Sequence, residues 1–240
     1  MEKAVDLARQ WNVPVSLDFT GKMGVKILVS EVATGIAFVD KKRGKPFYVD
    51  FLSAAWKARF ADGLPKNHIF RRAIGFKGDP LRFIDATAGF GQDSMLALSL
   101  GCEVIAVERS NVVITLLRNG VVRAMREDEA MRPKFENLSV VEAESMVFLG
   151  QVDAGDVVYL DPMFDKPKKT AKSPKEMQLL QDLLGPPVTV EEEEKLFHKA
   201  FEHAIQRVVV KRPLKAKALV RAPTHSYKGQ SVRYDVYVKS

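Results

Sequence analysis

The sequence predicts an α/β protein: a mixed, mostly parallel sheet with helices on both faces, preceded by a small β-containing subdomain. Three observations predict it. From Leu81 onward, short runs rich in β-branched residues alternate with longer helical patterns, the rhythm of parallel strands joined by helical crossovers. Upstream, KILVSEV (26–32), GIAFVD (35–40) and PFYVDFL (46–52) follow one another with only short breaks, as in a small antiparallel unit. And 240 residues, 46% of them apolar, suffice for one sizeable core.

The elements follow in order. Residues 1–12 pattern as a short amphipathic helix, and 52–75 as a helical stretch broken at DGLP (62–65). This assigns residues 1–75 to an N-terminal subdomain and 76–240 to the main domain. There LRFIDAT (81–87) is a strand, AGFGQ (88–92) a glycine turn, and DSMLALSLG (93–101) a helix stopped by Gly101. CEVIAVE (102–108) is the second strand, NVVITLLRNGVVRAMRE (111–127) a long helix, LSVVEAE (138–144) the third strand and DVVYLD (156–161) the fourth. EMQLLQDLL (176–184) and EEEEKLFHKAFEHAI (191–205) pattern as helices, RVVVKRP (207–213) as a fifth strand, and ALVRAP (218–223) with VRYDVYVK (232–239) as a closing β-pair.

Composition narrows the function classes. Lys plus Arg total 37 against 30 acidic residues, a net charge of +7 that suits a polyanionic partner such as nucleic acid. The basic residues cluster in KKRGK (41–45), KNHIFRR (66–72), KPKKTAKSPK (166–175) and KRPLKAK (211–217). A charge run is commonly a solvated face, so position must decide which clusters matter. The single cysteine, Cys102, permits no disulfide framework, and His68, His198, His203 and His225 lack metal-ligand spacing, so no metal is expected. No apolar run is long enough to span a membrane. The expectation is a cytoplasmic protein with no membrane partner; nothing in the pattern sets an oligomeric state.

Chemistry concentrates at the strand ends, where open parallel sheets bind ligands. In DATAGFGQD (85–93), Gly89 and Gly91 let backbone amides approach a ligand at a helix start. Ser94 stands where a dinucleotide fingerprint has its third glycine, which disfavours a dinucleotide. The second strand ends in Glu108, a residue type that holds ribose hydroxyls at this position. Arg109 follows, the third strand ends near Glu144 and Ser145, and the fourth ends in Asp161. Each feature has a bland alternative, a tight turn or a surface ion pair; their succession in order favours a nucleoside-type cofactor.

The fourth strand runs into Asp161-Pro162-Met163-Phe164. If the cofactor is S-adenosylmethionine, this order of residues has a reason. The lone pair of a nucleobase amine is delocalised, and acceptors for its two hydrogens localise it and stabilise charge developing on nitrogen. Asp161 supplies a carboxylate, Pro162 a carbonyl on a restricted backbone, and Phe164 a face on which an unpaired base stacks, worth about 1–3 kcal/mol. Alone, Asp-Pro is also a common turn opener.

DATAGFGQD, GCEVIAVERS (101–110), VVYLDPMF (157–164), KEMQLL (175–180) and VVVKRP (208–213), with DFLSAAWKARF (50–60) and AIGFKGD (73–79) upstream, resemble the bacterial small-subunit ribosomal RNA (guanine-N2) methyltransferase J family. The resemblance covers about residues 45–240. It implies a class I, Rossmann-like methyltransferase fold, S-adenosylmethionine as donor, and N2 methylation of one guanine near the 3′ end of 16S rRNA. It places the cofactor at Gln92, Asp93, Glu108, Arg109, Glu144, Ser145 and Asp161, beside Asp85, Gly89 and Gly91 of the strand-to-helix turn, and the acceptor base at Asp161, Pro162 and Phe164. Gln92 stands where that family usually has arginine. Lys166, Lys168, Lys169 and Lys172 beside the base pocket, with Lys211 and Arg212 at the end of the fifth strand, are the expected RNA contacts. The alternatives are an amino-group methyltransferase for another nucleobase or a protein amide, and a non-catalytic RNA-binding protein on the same fold.

Overall fold

The computed structural model describes residues 47–162 and 189–239, together with the backbone of two strands, β1 (Lys26–Ser30) and β2 (Gly35–Val39). The expected helices at 1–12 and 176–184, Phe164 and the lysines between 166 and 172 lie outside the described residues. β1 and β2 pair antiparallel, Ile27 facing Phe38, as the upstream pattern predicts.

The main sheet has seven strands in the order β5-β4-β3-β6-β7-β9-β8. They are β3 (Arg82–Asp85), β4 (Glu103–Glu108), β5 (Leu138–Glu142), β6 (Gly155–Leu160), β7 (Ala204–Pro213), β8 (His225–Lys228) and β9 (Val232–Val238). β5, β4, β3, β6 and β7 run parallel, and β9 and β8 close the edge antiparallel. The chain moves outward through β4 and β5, then returns to the other side of β3. The order therefore reverses between β3 and β6, which opens a crevice at their carboxyl ends.

Helices cover both faces. On one lie α1 (Ala54–Asp62), α2 (Ile69–Ile74), α3 (Gln92–Ser99) and α4 (Asn111–Glu127), with the short α5 (Arg132–Phe135). Trp56, Phe60, Phe70, Met95, Leu98 and Leu117 pack there with Phe83, Tyr159 and Val209 of the strands. On the other lie α6 (Ser145–Leu149) and α7 (Val190–His203), whose Leu149, Phe197 and Ala200 pack on Ile84, Val158, Leu160 and Val210. Because side chains alternate along a strand, each central strand feeds both cores.

Local chemistry sets the helix boundaries. α4 starts where Ser110 Oγ accepts the Val113 N–H, and it buries Val113, Ile114, Leu117, Gly120 and Ala124 on one stripe. Gly120, unfavourable inside a helix by about 1 kcal/mol against alanine, is needed there: a Cβ would sit 2.8 Å from Val49 Cγ1 and 2.9 Å from Val49 O. α7 begins with a reciprocal capping box between Thr189 and Glu192.

Three sequence expectations change. PFYVDFL is not a ladder strand over its described residues, 47–52, of which only Phe47 makes a bridge. Its alternation is nonetheless real, since Val49 and Phe51 are buried while Tyr48 and Asp50 are exposed. The segment lies extended across α4, where Arg123 donates to Val49 O at 2.8 Å. The partner of β9 is His225–Lys228 rather than ALVRAP. Pro223 cannot donate to a ladder, and Leu219 instead anchors that segment in the second core. The last helix ends at His203 because Ala204 pairs with Gly155 and enters β7.

Candidate active site

Two groups of polar side chains meet at the crevice between β3 and β6. The first is held by backbone. β3 ends in Asp85, 1% exposed, whose Oδ1 accepts the Thr87 N–H at 3.2 Å and whose Oδ2 accepts the Ser94 hydroxyl at 2.6 Å. Burial pushes the Asp85 carboxyl up to about 7, against the pull of its Ser94 bond. Asp85 thus ties the end of β3 to the first turn of α3. Between them, Gly91 has φ +77°, a left-handed backbone that favours glycine, and a Cβ there would lie 2.6 Å from Leu117 Cδ1 and push that side chain aside. Glu108, at the end of β4, is 6% exposed. Its Oε2 accepts the Gly89 N–H at 3.0 Å and its Oε1 the Ser110 N–H at 2.7 Å. Burial raises this carboxyl above its ordinary range, and the backbone bonds pull it back. A carboxylate offers about four acceptor positions, so Glu108 keeps capacity for a ligand hydroxyl.

The second group is held by charge. Lys211 Nζ, at the end of β7, lies 2.7 Å from Asp93 Oδ2 and 2.9 Å from Asp161 Oδ2. Burial alone would lower the lysine pKa; the Asp93 and Asp161 carboxylates more than reverse this and raise it well above its ordinary value. The Asp161 backbone N–H donates to Thr87 Oγ1 at 2.6 Å. The register explains why Lys211 faces Asp161. Tyr159 pairs with Val209 and Leu160 with Val210, so the next pair along the two parallel strands is Asp161 with Lys211. Tyr159 and Tyr234 stand beside this cluster. The Tyr159 hydroxyl is buried without a hydrogen-bond partner among the described residues, and burial raises its pKa.

The crevice thus brings together Asp85, Gly89, Gly91, Asp93, Glu108 and Asp161 of the sequence-predicted set. Ser145, 8% exposed, donates its hydroxyl to Ala86 O just past β3. Arg109 and Glu144 pair with each other at 3.5 Å on the exposed rim. Gln92 is exposed at the start of α3. Two expected RNA contacts are engaged inside the protein. Lys211 bridges two carboxylates, and Arg212, 8% exposed, pairs with Glu193 at 3.4 Å and donates to Lys217 O. Thr87, Ser94, Tyr159 and Tyr234 were not anticipated. Ser94 had a signal, since a hydroxyl in the first turn of a helix that follows a strand-end aspartate can bond back to it. Among the described residues, no group of three or more His, Cys, Asp or Glu side chains could hold a metal ion, and no helix is long and apolar enough to cross a membrane.

Residues 6–239 match the family of SAM-dependent methyltransferases. The ribosomal RNA small subunit methyltransferase J of Pseudoalteromonas atlantica is 38% identical over 248 residues, covering 99% of this chain and 93% of that protein. Its counterpart in Coxiella burnetii is 34% identical over 242 residues, with 99% and 92% covered. This chain belongs to the ribosomal RNA small subunit methyltransferase J family. The fold agrees: a SAM-dependent methyltransferase from Neisseria gonorrhoeae superimposes with a TM-score of 0.73 at 28% identity, covering 99% of this chain and 92% of that one. The chain is a class I methyltransferase with S-adenosylmethionine as its donor. The site's charge fits that donor. Asp93 and Asp161 share one ammonium, Lys211, beside the Asp85 carboxyl, which burial pushes up to about 7; two carboxylates against one ammonium leave a negative balance suited to a cationic sulfonium.

Proposed function

We propose that this chain methylates the exocyclic N2 amine of one guanine near the 3′ end of 16S rRNA. The observation that carries the reading is the place of Asp161-Pro162: at the end of β6, on the crevice where the strand order reverses, with the Asp161 carboxylate held by Lys211. The names of the relatives, ribosomal RNA small subunit methyltransferases, support the substrate, as does the net charge of +7.

When bound, the donor supplies a methyl group on a positively charged sulfur. Glu108 accepts the ribose hydroxyls with the acceptor capacity left by Gly89 and Ser110. The Gly89–Gly91 turn, Gln92 and Asp93 receive the methionine end, and Arg109, Glu144 and Ser145 border the adenine. Asp161 Oδ and the Pro162 carbonyl accept hydrogen bonds from the two N–H groups of the guanine amine, which localises its lone pair and stabilises positive charge as nitrogen takes the methyl group from sulfur, whose bond electrons stay behind on a neutral thioether; the surplus N–H proton then leaves to solvent by way of Asp161. Phe164 stacks on the extruded base, and Lys166, Lys168, Lys169 and Lys172 neutralise nearby phosphates. Such a protein works among ribosomal particles in the cytoplasm.

The test uses small ribosomal subunits from a strain lacking this gene, incubated with the protein and tritiated S-adenosylmethionine, followed by digestion of the rRNA. Label in N2-methylguanosine that disappears with Asp161→Ala is the expected result. Label in a different nucleoside discards the guanine assignment. Full activity in Asp161→Ala discards the role of that carboxylate.

A further inference from the structure

The densest polar contact in the crevice is the Lys211 bridge, and the reaction as described so far gives it no task. Its three members come from three elements: Asp93 from the first turn of α3, Asp161 from just past β6, and Lys211 from the end of β7. Side-chain exposure is 21% for Lys211, 11% for Asp93 and 28% for Asp161. Of the three, Asp161 has the most access to water.

The surroundings make restraint necessary. The charged and titratable groups near Lys211 are Asp93 on α3, Asp161 on β6 and Tyr234 on β9. Asp85 on β3 acts on the same cluster, and it and Tyr159 complete the shell. Among the described residues, every one of these is an acid. Without the ammonium, the Asp93 and Asp161 carboxylates would share one partly dry crevice beside the Asp85 carboxyl, which burial pushes up to about 7, and like charges repel strongly there. An ammonium suits the task better than a guanidinium. It is a compact point charge with three donors that can reach two carboxylates in different directions, whereas the guanidinium fork matches one carboxylate face-on.

We propose that Lys211 is the positioning residue of methyl transfer. It holds the Asp161 carboxylate in the orientation that accepts the amine hydrogen and ties it to Asp93, so that the donor end and the acceptor end of the site move as one unit. This rests on the reading of Asp161 as the acceptor of the amine hydrogen. It also takes Lys211 out of the RNA-contacting set: its charge serves the site and not the phosphates.

The experiment measures kcat and KM for both substrates across pH in Lys211→Met and Lys211→Arg, using small subunits as acceptor. Each is made also in an Asp85→Asn background, which removes the carboxyl that burial pushes up to about 7. In Lys211→Met, kcat at neutral pH falls about 100-fold, the size of effect expected when a reacting group is misplaced by roughly 1 Å. The KM for RNA stays within about threefold, because no phosphate contact has been lost. The acid limb of the kcat profile moves to higher pH by a unit or more, since carboxylates without their counter-ion ionise less readily. Lys211→Arg restores the position of that limb while recovering only part of kcat. Binding of S-adenosylmethionine by calorimetry reports that the variants are folded. Should Lys211→Met fail to fold, Lys211→Met/Asp93→Asn returns the net charge of the cluster to that of the unmodified protein and is measured in its place, with folding read from circular dichroism because Asp93 is itself assigned to the donor. In the unmodified protein, nitrogen-15 NMR adds a reading that needs no variant: the Lys211 ammonium protons exchange slowly with water. A KM for RNA that rises with kcat unchanged, an acid limb that does not move, or fast ammonium exchange overturns the proposal. If Asp161→Ala is itself fully active, the underlying reading of the site fails first. An inactive Asp161→Ala beside a normal Lys211→Met refutes the positioning role alone.

Discussion

The two halves of the crevice hold their carboxylates by different means. On the side of β3 and β4, Asp85 and Glu108 accept hydrogen bonds from Thr87, Gly89, Ser110 and Ser94, and every partner lies within twenty residues of its carboxylate in the chain. On the side of β6 and β7, Asp93 and Asp161 share one ammonium from Lys211, which is 118 residues from Asp93. Backbone amides are fixed by the fold and carry no net charge, so the first half is rigid and nearly independent of its neighbours. The second half is a balance of full charges whose parts come from distant segments, and removing one member disturbs the rest. The first half has the properties of a cradle and the second those of a reacting centre.

If this contrast is right, substitutions in the charge-held half act on turnover and those in the backbone-held half on stability or donor affinity. The largest effect belongs to Asp161→Ala. It should lower kcat by about 10³-fold, in the range seen when a group that stabilises transition-state charge is removed, while calorimetry shows donor affinity changed by less than about tenfold. Lost donor binding in this variant would blur the division. Next comes Gly91→Ala, which meets both the left-handed backbone and the 2.6 Å approach to Leu117. Chemical denaturation should show a loss of about 2–4 kcal/mol, and a loss below 1 kcal/mol would mean that the turn is softer than its geometry. Glu108→Gln turns an NH2 toward one of two backbone N–H donors. A loss of about 1–3 kcal/mol, seen as a 10- to 100-fold weaker donor Kd with kcat at saturation nearly unchanged, is expected.

Asp85 gives a pH-dependent version of the same test. Its carboxyl in the folded protein titrates at about 7 against an ordinary 3.8. The folded state therefore binds the proton more tightly than the unfolded chain, and this contribution to stability is complete below pH 4. It is lost as pH rises toward 7 and beyond. Asp85→Asn should then gain in stability relative to the unmodified protein between pH 5 and pH 8, by about 2–4 kcal/mol at most; parallel melting curves that keep a constant separation would refute it. The smallest effect is on the rim, where Arg109 and Glu144 are half-exposed and 3.5 Å apart. Arg109→Ala should change stability by no more than about 0.5 kcal/mol, and any larger effect on donor affinity would mark a direct contact.

Legibility followed the same line. The glycine turn, Glu108 and Asp161 could be read from the chain because each sits at the end of a strand pattern, where an open parallel sheet puts its ligands. The helix 111–127 was read to the residue, since its apolar stripe is local, and in the structure a local serine cap starts it. What misled the reading was locality itself. PFYVDFL alternates like a strand but buries Val49 and Phe51 against helices rather than in a ladder. KRPLKAK reads as a basic surface run, yet its first two residues are drawn inward by Asp93, Asp161 and Glu193. Glu193 in turn is one of four consecutive glutamates, and it is 5% exposed.

By itself the sequence determined the order of strands and helices, the crossover rhythm that forces a parallel sheet, and the strand ends at which chemistry collects. Those follow from periodicity, turn chemistry and capping, which act over a few residues. Only the tertiary structure decided that β9 closes the edge with β8, that Asp93, Asp161 and Lys211 form one charged unit, and that Arg212 faces the core. Those outcomes depend on the register between strands fifty residues apart and on which charges are driven together as water leaves the crevice. No local pattern encodes either of them.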